Sequence, residues 1–166
     1  MPVNRNRLTK DLTNIDLEDI VSSWQWLLRD LKEVVLITSL GDLFFVGLDG
    51  AIYWLQTDLG AFCKVADDTK KFHQYLEEDE KIDNWLLPAL VDKLVNEGKV
   101  IKENEVYSYK KPPIFGGKYT LENIEPTDIS LHFTFTGQIC EQVKDLPDGT
   151  KVKNVILKPI TEKGKK

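Results

Sequence analysis

Two prolines and two glycines within six residues constrain the path of this chain most strongly. They are Pro112, Pro113, Gly116 and Gly117, and they lie between aromatic segments typical of strands. Proline fixes φ and has no backbone donor, whereas glycine reaches positive φ and allows two backbone segments to approach closely. The spacing predicts a built corner over residues 106–120, without a catalytic residue. We expect Gly116→Val or Gly117→Val to harm folding before it harms function.

Size and composition predict one compact domain. The chain has 166 residues, of which 42% are apolar, and its aromatic residues supply a core that needs no disulfide or metal. Cys63 and Cys140 lie far apart in the sequence, so we interpret them as small core residues rather than a disulfide or redox pair. The N-terminus lacks the apolar run of a signal peptide, and no stretch approaches the roughly 18 apolar residues of a membrane span. We therefore expect a cytoplasmic protein with no membrane partner.

The distribution of charge divides the chain into regions. Residues 67–105 hold eleven acidic and six basic residues, which accounts for the whole net charge of -5. From residue 151 onwards lysines dominate, with Glu162 as the single acid. We predict a flexible lead over residues 1–15, a single α+β domain over residues 16–157, and a basic, disordered tail over residues 158–166. An acidic body disfavours nucleic acid as a partner, because phosphate affinity depends on Lys and Arg.

The first half of the chain predicts a helix followed by a β-meander. Apolar residues recur at helical spacing over residues 17–31, and Asp16 is placed to cap the helix. Strand-like segments follow at 34–38, at 43–55 around the turn signal Asp49-Gly50, and at 61–65. This pattern predicts a three-stranded antiparallel meander packed against helices.

The second half mixes helices with short strands. Helices are predicted over residues 70–78 and 83–97, the second one starting or kinking near Pro88. Short strands are expected at 100–101 and 106–109. Residues 127–143 fit either an alternating strand or one face of a helix, and the helix is the preferred prediction.

Two features are candidates for contact with a partner. The first is an acidic run made of Glu77, Glu78, Asp79, Glu80 and Asp83, which either solvates a helix end or forms a docking surface for a basic partner. The second is Trp26, which lies off the apolar face of its predicted helix. Trp26 is either an exposed contact residue or part of a second buried face.

Catalytic chemistry has little support in the sequence. His132 lies near Glu141, and an imidazole paired with a carboxylate can do acid–base work, but a packed structural histidine is the preferred interpretation. The chain lacks zinc spacing, a nucleophile elbow, a phosphate-binding glycine loop and a dinucleotide fingerprint. We therefore expect no enzyme activity, no cofactor and no metal.

A set of ordered motifs resembles a known family. The motifs are Gly41-Asp42 with the following aromatic strand, Asp49 to Leu55, the corner at Pro112 to Gly117, and a segment from Gly137-Gln138 to Thr150. In this order they resemble the C-terminal domain of bacterial immunity proteins for type VI secretion DNase effectors, formerly a domain of unknown function. One departure is Cys140, which stands where the resemblance would place a histidine.

The resemblance implies a cytoplasmic α+β domain that binds a cognate toxin and blocks it, and it implies no catalytic residues. The first hypothesis is therefore an immunity protein that neutralises a basic nuclease through the acidic run and Trp26. A binding scaffold unrelated to toxins is the alternative. A small enzyme using His132 and Glu141 is the third hypothesis.

Overall fold

An antiparallel sheet forms the centre of the protein. The computed structural model describes residues 5–147, residue 150 and residues 156–157. Four strands in the order β1-β2-β3-β4 span Leu31–Ile37, Leu43–Gly47, Ile52–Gln56 and Ala61–Ala66. A separate antiparallel pair, β5 and β6, spans Glu105–Tyr109 and Ile124–Asp128. The predicted α+β class with an antiparallel meander is confirmed. The meander has four strands instead of three, because residues 31–37 pair with β2 as a further strand.

Helices cover both faces of this sheet. Within the described ranges, α1 to α5 span Leu17–Ser22, Thr69–Tyr75, Asp79–Leu86, Pro88–Asn96 and Ile129–Val143. Asp16, Asp68 and Asp128 cap α1, α2 and α5, since each carboxylate accepts a bond from the backbone N–H three residues later. These caps fix where the three helices begin.

Alternating side chains on β2 divide the core into two layers. Phe44 points towards α2, α3 and α4, where its ring lies 5.3 Å from that of Trp85. Leu43 and Phe45 point the other way, into a cluster with Phe133 of α5. This alternation is the period of two that a strand imposes, so one short strand holds together both halves of the core.

The segment before α1 contributes to the core as well. Leu8 is 2% exposed and packs in the cluster with Phe44. Ser39 donates its backbone N–H to the carbonyl of Leu8, and Thr9 forms an isolated antiparallel bridge with Thr38. Residues 7–10 therefore pair with the chain just beyond β1. The sequence interpretation, which treats residues 1–15 as a lead, assigns no packing role to Leu8.

The predicted helix over residues 17–31 is too long. The helix ends at Ser22, a series of turns follows, and Leu31 already belongs to β1. Leu28 still donates its N–H to the carbonyl of Trp24, a helix-like bond. Trp24 and Leu28 are both buried. The apolar residues after Ser22 thus belong to turns that face the core. Their spacing is the same as in a helix, although the helix itself has ended.

The predicted helix over residues 83–97 is two helices. Leu87 has φ of 50°, a left-handed conformation that ends α3 and separates it from α4. Pro88 is the first residue of α4, where the backbone N–H would have no partner within the helix, so its absence is tolerated. Residues 100–101 form no strand. Instead β5 pairs with β6, a strand that the sequence interpretation misses because Pro126 interrupts its pattern.

The structure also tests the predictions for residues 127–143 and for both cysteines. Residues 129–143 form the helix α5, as preferred over a strand. Cys63 and Cys140 are free thiols, the first exposed on β4 and the second buried in α5, so only Cys140 has the predicted core position. The predicted tail over residues 158–166 lies outside the described residues.

Candidate functional site: an acidic cleft with aromatic walls

The corner predicted from the prolines and glycines is clamped by one side chain. Asn123 accepts from the backbone N–H of Lys111 at 2.8 Å and donates to the carbonyls of Lys111 and Lys118, at 2.9 and 2.8 Å. Pro112 and Pro113 lead into a short turn, in which the N–H of Gly117 donates to the carbonyl of Pro112. The clamp holds both ends of the corner together and fixes the position of Tyr119 just beyond it.

A buried histidine joins four separate parts of the fold. Nε2 of His132 lies 2.8 Å from the carbonyl oxygen of Gly41, which can only accept, so Nε2 carries the proton. Nδ1 is then the acceptor for the hydroxyl of Ser108 on β5, 2.7 Å away. Thr57 also donates to the carbonyl of Gly41, at 2.8 Å. Burial lowers the pKa of His132 to about 4, consistent with a neutral ring.

The motif glycines are sites of close packing around this network. Gly41 has φ of 83°, and a Cβ there would lie 2.2 Å from Nε2 of His132. Gly137 lets α5 pack against the turn after α1, because a Cβ would lie 2.4 Å from the carbonyl oxygen of Ser23. Gln138, its neighbour in the motif, is half-buried. Gly41 and Gly137 are therefore both positions at which another part of the fold packs closely against α5.

Thr57, one member of this network, also lines an acidic cleft of about 280 Å³. Asp42 accepts from the backbone N–H of Thr57 at 3.0 Å and from the indole N–H of Trp54 at 3.2 Å. Asp58 accepts from the hydroxyl of Tyr119 at 2.8 Å. Asp42 and Asp58 line the cleft together, on the side formed by the sheet and the turn after β3.

Aromatic side chains form the other walls of the cleft. Trp54 stacks on Phe44 with ring centroids 5.7 Å apart, and Tyr109 meets Tyr119 edge to face at 5.3 Å. Trp85, from α3, completes this wall. Tyr119 is supplied by the clamped corner, so the corner has a role at the cleft as well as in the fold.

Electrostatics in the cleft follow from burial and from the two carboxylates. Desolvation, followed by the nearby charge of Asp58, raises the pKa of Asp42 to about 7, against the bonds from Thr57 and Trp54. The pKa of Tyr119 is raised to about 12, mainly by desolvation. The hydrogen bond from its hydroxyl to Asp58 and the negative charge of Asp58 raise it further. The cleft is therefore an environment in which negative charge is costly.

These pKa values predict how stability changes with pH. The folded state holds a proton on Asp42 that the unfolded chain has lost, so this contribution to stability is lost as pH rises from about 4 to about 7. His132 acts in the opposite direction, because its folded pKa is depressed, and its contribution grows from about pH 4 to 6.5. In the wild type the two slopes oppose each other.

Asp42→Asn removes one of these slopes. Relative to the wild type, its free energy of unfolding should rise by up to about 1 kcal/mol per pH unit between about pH 4.5 and 6.5. Urea titrations of both proteins across this pH range measure the difference between their free energies of unfolding. The contributions of the other titrating groups are the same in both proteins and cancel in this difference. Parallel curves would contradict the raised pKa of Asp42.

The predicted acidic run lies on the surface beside the cleft. Its members, Glu77, Glu78, Asp79, Glu80 and Asp83, are all exposed. Asp79 and Glu80 occupy the first turn of α3, where the helix dipole favours them. Glu80 precedes Asn84, which lines the cleft, by four residues on α3, and residues four apart are neighbours on a helix; Asp83 directly precedes Asn84 in the chain. The run thus extends the negative surface of the cleft.

Trp26 lies elsewhere and is held by several contacts. Its indole N–H donates to the carbonyls of Ser23 and Gly137, at 3.0 and 3.2 Å. Its ring stacks on Trp24 at 5.7 Å, and the ammonium group of Lys144 lies 5.3 Å from its centroid. These contacts give Trp26 a packing role between α5 and the turns after α1. Its role in partner binding stays a prediction.

The structure does not bring His132 and Glu141 together. His132 is buried, while Glu141 is exposed. They lie nine residues apart on α5, which at about 100° per residue places them on opposite faces of the helix. The acid–base pair considered from the sequence is therefore not assembled.

Most of the cleft is missed by sequence reasoning. The sequence patterns mark Asp42 and the corner as fold landmarks and give Asp58, Tyr109 and Tyr119 no role. The available signal is the turn at Thr57 to Gly60, which local patterns identify only as a break between strands. Convergence of these residues depends on the pairing of β5 with β6, which local patterns do not reveal.

Comparison with known proteins supports the resemblance found in the sequence. Residues 66–140 match the family model described as T6SS immunity protein Tdi1, C-terminal. This is the type VI secretion immunity family that the sequence motifs resemble. The matched range contains α3, α4, β5 and the corner, whereas Asp42 and Asp58 precede it. The matched range thus includes the residues of α3, α4, β5 and the corner that line the cleft.

Structural comparison gives a weaker likeness. The crystal structure of Atu4351 from Agrobacterium tumefaciens is similar at 16% sequence identity with a TM-score of 0.49. The likeness covers 73% of this chain and 63% of that chain. No curated protein matches this chain.

The described residues hold neither a helix that could span a membrane nor a cluster of candidate metal ligands. No helix in the part of the chain that the structure describes is long and apolar enough to cross a membrane. Across the same residues, His, Cys, Asp and Glu side chains form no group of three or more that could hold a metal ion.

Proposed function

We propose that this protein binds a cognate secreted effector, a nuclease, and neutralises it in the cytoplasm of the cell that produces both. The match of residues 66–140 to a type VI secretion immunity family carries this proposal. Proteins that act on nucleic acid present basic surfaces, since phosphate affinity depends on Lys and Arg. An acidic inhibitor suits such a surface.

The acidic face of the protein supports this choice of partner. Residues 67–105 carry the net negative charge of the chain, and α3 displays Glu80 and Asp83 beside the cleft. Clustered charge of one sign accelerates association with an oppositely charged partner and restricts the orientation in which the two meet. Contact through this face would cover the substrate-binding surface of a basic enzyme.

The direct test uses the product of the adjacent open reading frame. We expect it to co-purify with this protein and to be toxic unless this protein is co-expressed. Absence of binding together with absence of protection would remove the proposed function. Binding and protection with a product that leaves DNA and RNA intact would retain immunity and overturn the nuclease.

Charge reversal on α3 tests the acidic face. Glu80→Lys combined with Asp83→Lys should weaken binding of that product at least about tenfold, mainly through slower association. Titration calorimetry and stopped-flow measurements at two salt concentrations check this. The matched control is Glu33→Lys with Glu141→Lys, which makes the same change in net charge at exposed positions on β1 and α5. Equal weakening by both pairs would show that only net charge matters.

A further inference from the structure

The cleft has the size of a site for one side chain. Its volume of about 280 Å³ lies just below the roughly 300–1,000 Å³ typical of sites for small molecules. It opens at the surface between the turn after β3, the junction of α3 with α4, and the clamped corner. A single side chain from a partner fits these dimensions better than a nucleotide or a cofactor.

The charge in the cleft has no cationic counterpart. Asp42 and Asp58 line it, and the lining contains no Lys, Arg or His. Their partners in the structure are neutral donors, namely Thr57, Trp54 and Tyr119. Within the described residues, the ion pairs join Arg7 to Asp92 and Lys64 to Asp67, away from this lining. A ligand with positive charge would compensate Asp58 and would favour the deprotonated form of Asp42, whose pKa is raised by burial and by the charge of Asp58.

The aromatic walls favour the same ligand. Trp and Tyr rings attract a cation placed over their faces within about 6 Å. The protein already uses this contact nearby, since the ammonium group of Lys81 lies 5.8 Å from the ring of Trp85. The rings of Trp54 and Tyr119 are both held in place by hydrogen bonds to the two carboxylates. These hydrogen bonds hold the two carboxyl groups and the two aromatic rings in fixed positions relative to each other in the free protein.

We infer that the cleft receives the cationic side chain, arginine or lysine, of the bound effector. This inference rests on the proposed function and specifies the contact that it uses. Arginine suits the cleft best, because its planar guanidinium both stacks on aromatic rings and forms paired bonds with carboxylates. The acidic run on α3 then guides the basic partner towards the cleft, and the clamped corner presents Tyr119 to the entering side chain.

The test needs only the protein and a small probe. Nα-acetyl-arginine N-methylamide is titrated into the labelled protein, and the indole N–H resonances of Trp54 and Trp85 are followed by NMR. We expect saturable shifts with a dissociation constant on the order of 1–10 mM, the range of a single side-chain contact. The citrulline analogue has nearly the same shape without the charge, and it should cause no saturable shift. Equal binding of both probes, or of neither, overturns the inference.

Variants of cleft residues test whether the arginine probe binds in the cleft. Asp58→Asn keeps an acceptor for Tyr119 and removes the charge, so it should weaken binding of the arginine probe at least about fivefold. Gln56→Lys supplies a cation from within the cleft lining and should abolish binding. Asp67→Asn, at an exposed position beside Lys64, is the matched control and should leave binding unchanged. Unchanged binding in both cleft variants overturns the inference.

Binding of the effector separates this inference from the proposed function. If the wild type binds the product of the adjacent reading frame and both cleft variants bind it equally well, the cleft is not the contact and the immunity function stands. If the wild type does not bind that product, the proposed function fails, whatever the result with the arginine probe.

Discussion

Gly41→Ala is expected to lower the free energy of unfolding by about 3–5 kcal/mol, the sum of a left-handed backbone strain and an overpacked core. The new Cβ would lie 2.2 Å from Nε2 of His132, a ring that is buried and bonded to the carbonyl of Gly41 itself. The bond between Nδ1 of His132 and the hydroxyl of Ser108 also restrains the ring against moving away from Gly41. Urea denaturation of the variant measures the loss.

Gly50→Ala is the matched control for this prediction. Gly50 has φ of 84°, almost the same as Gly41 at 83°, but a Cβ added at Gly50 would have no other atom within 4 Å. The control therefore carries the backbone strain alone, about 1 kcal/mol. A loss of the same size in both variants would show that His132 does not crowd Gly41.

Gly117→Ala is expected to cost about 2–4 kcal/mol, because an overpacked contact with backbone cannot relax by moving a side chain. Its Cβ would lie 1.8 Å from the carbonyl oxygen of Lys111, so the corner must open and the clamp by Asn123 is lost. The sequence pattern treats Gly116 and Gly117 alike. In the structure Gly116 has φ of 87° and open space around it, so Gly116→Ala should cost only about 1 kcal/mol.

Thermal unfolding of the two variants checks this difference. Opening of the corner should also displace Tyr119, so the Gly117 variant should lose affinity for the arginine probe, whereas the Gly116 variant keeps it. A larger loss of stability in Gly116→Ala than in Gly117→Ala would contradict the packing of the corner.

The parts of the fold that can be predicted well from the sequence are those with strong local signals. The Asp49-Gly50 turn and its flanking apolar runs predict β2 and β3, and the helix predicted from residue 70 begins within one residue of α2, which Asp68 caps. The predicted helix over residues 17–31 fails because buried turns after Ser22 have the same apolar period as a helix. Local propensity does not distinguish these two cases, and tertiary packing decides between them.

The cleft is harder to predict because its parts are distant in the sequence. Asp42 precedes the three middle helices, α2 to α4, and Tyr119 follows them. The two residues line the same cleft only because β5 packs against α5 and the corner lies near the turn after β3. Gly41 and Gly137 are landmarks by resemblance, but their physical role lies in what a Cβ would strike. Such contacts between distant segments leave no periodic pattern in a single sequence.

Hydrogen exchange in the complex shows whether the effector binds through the acidic cleft. The protein is compared with and without the product of the adjacent open reading frame, and backbone protection is mapped by mass spectrometry. We expect new protection at the rim of the cleft, over residues 57–60, 80–87 and 116–120, with little change on β1. Protection confined to other surfaces, with the rim of the cleft exchanging as in the free protein, would contradict an effector bound through the acidic cleft.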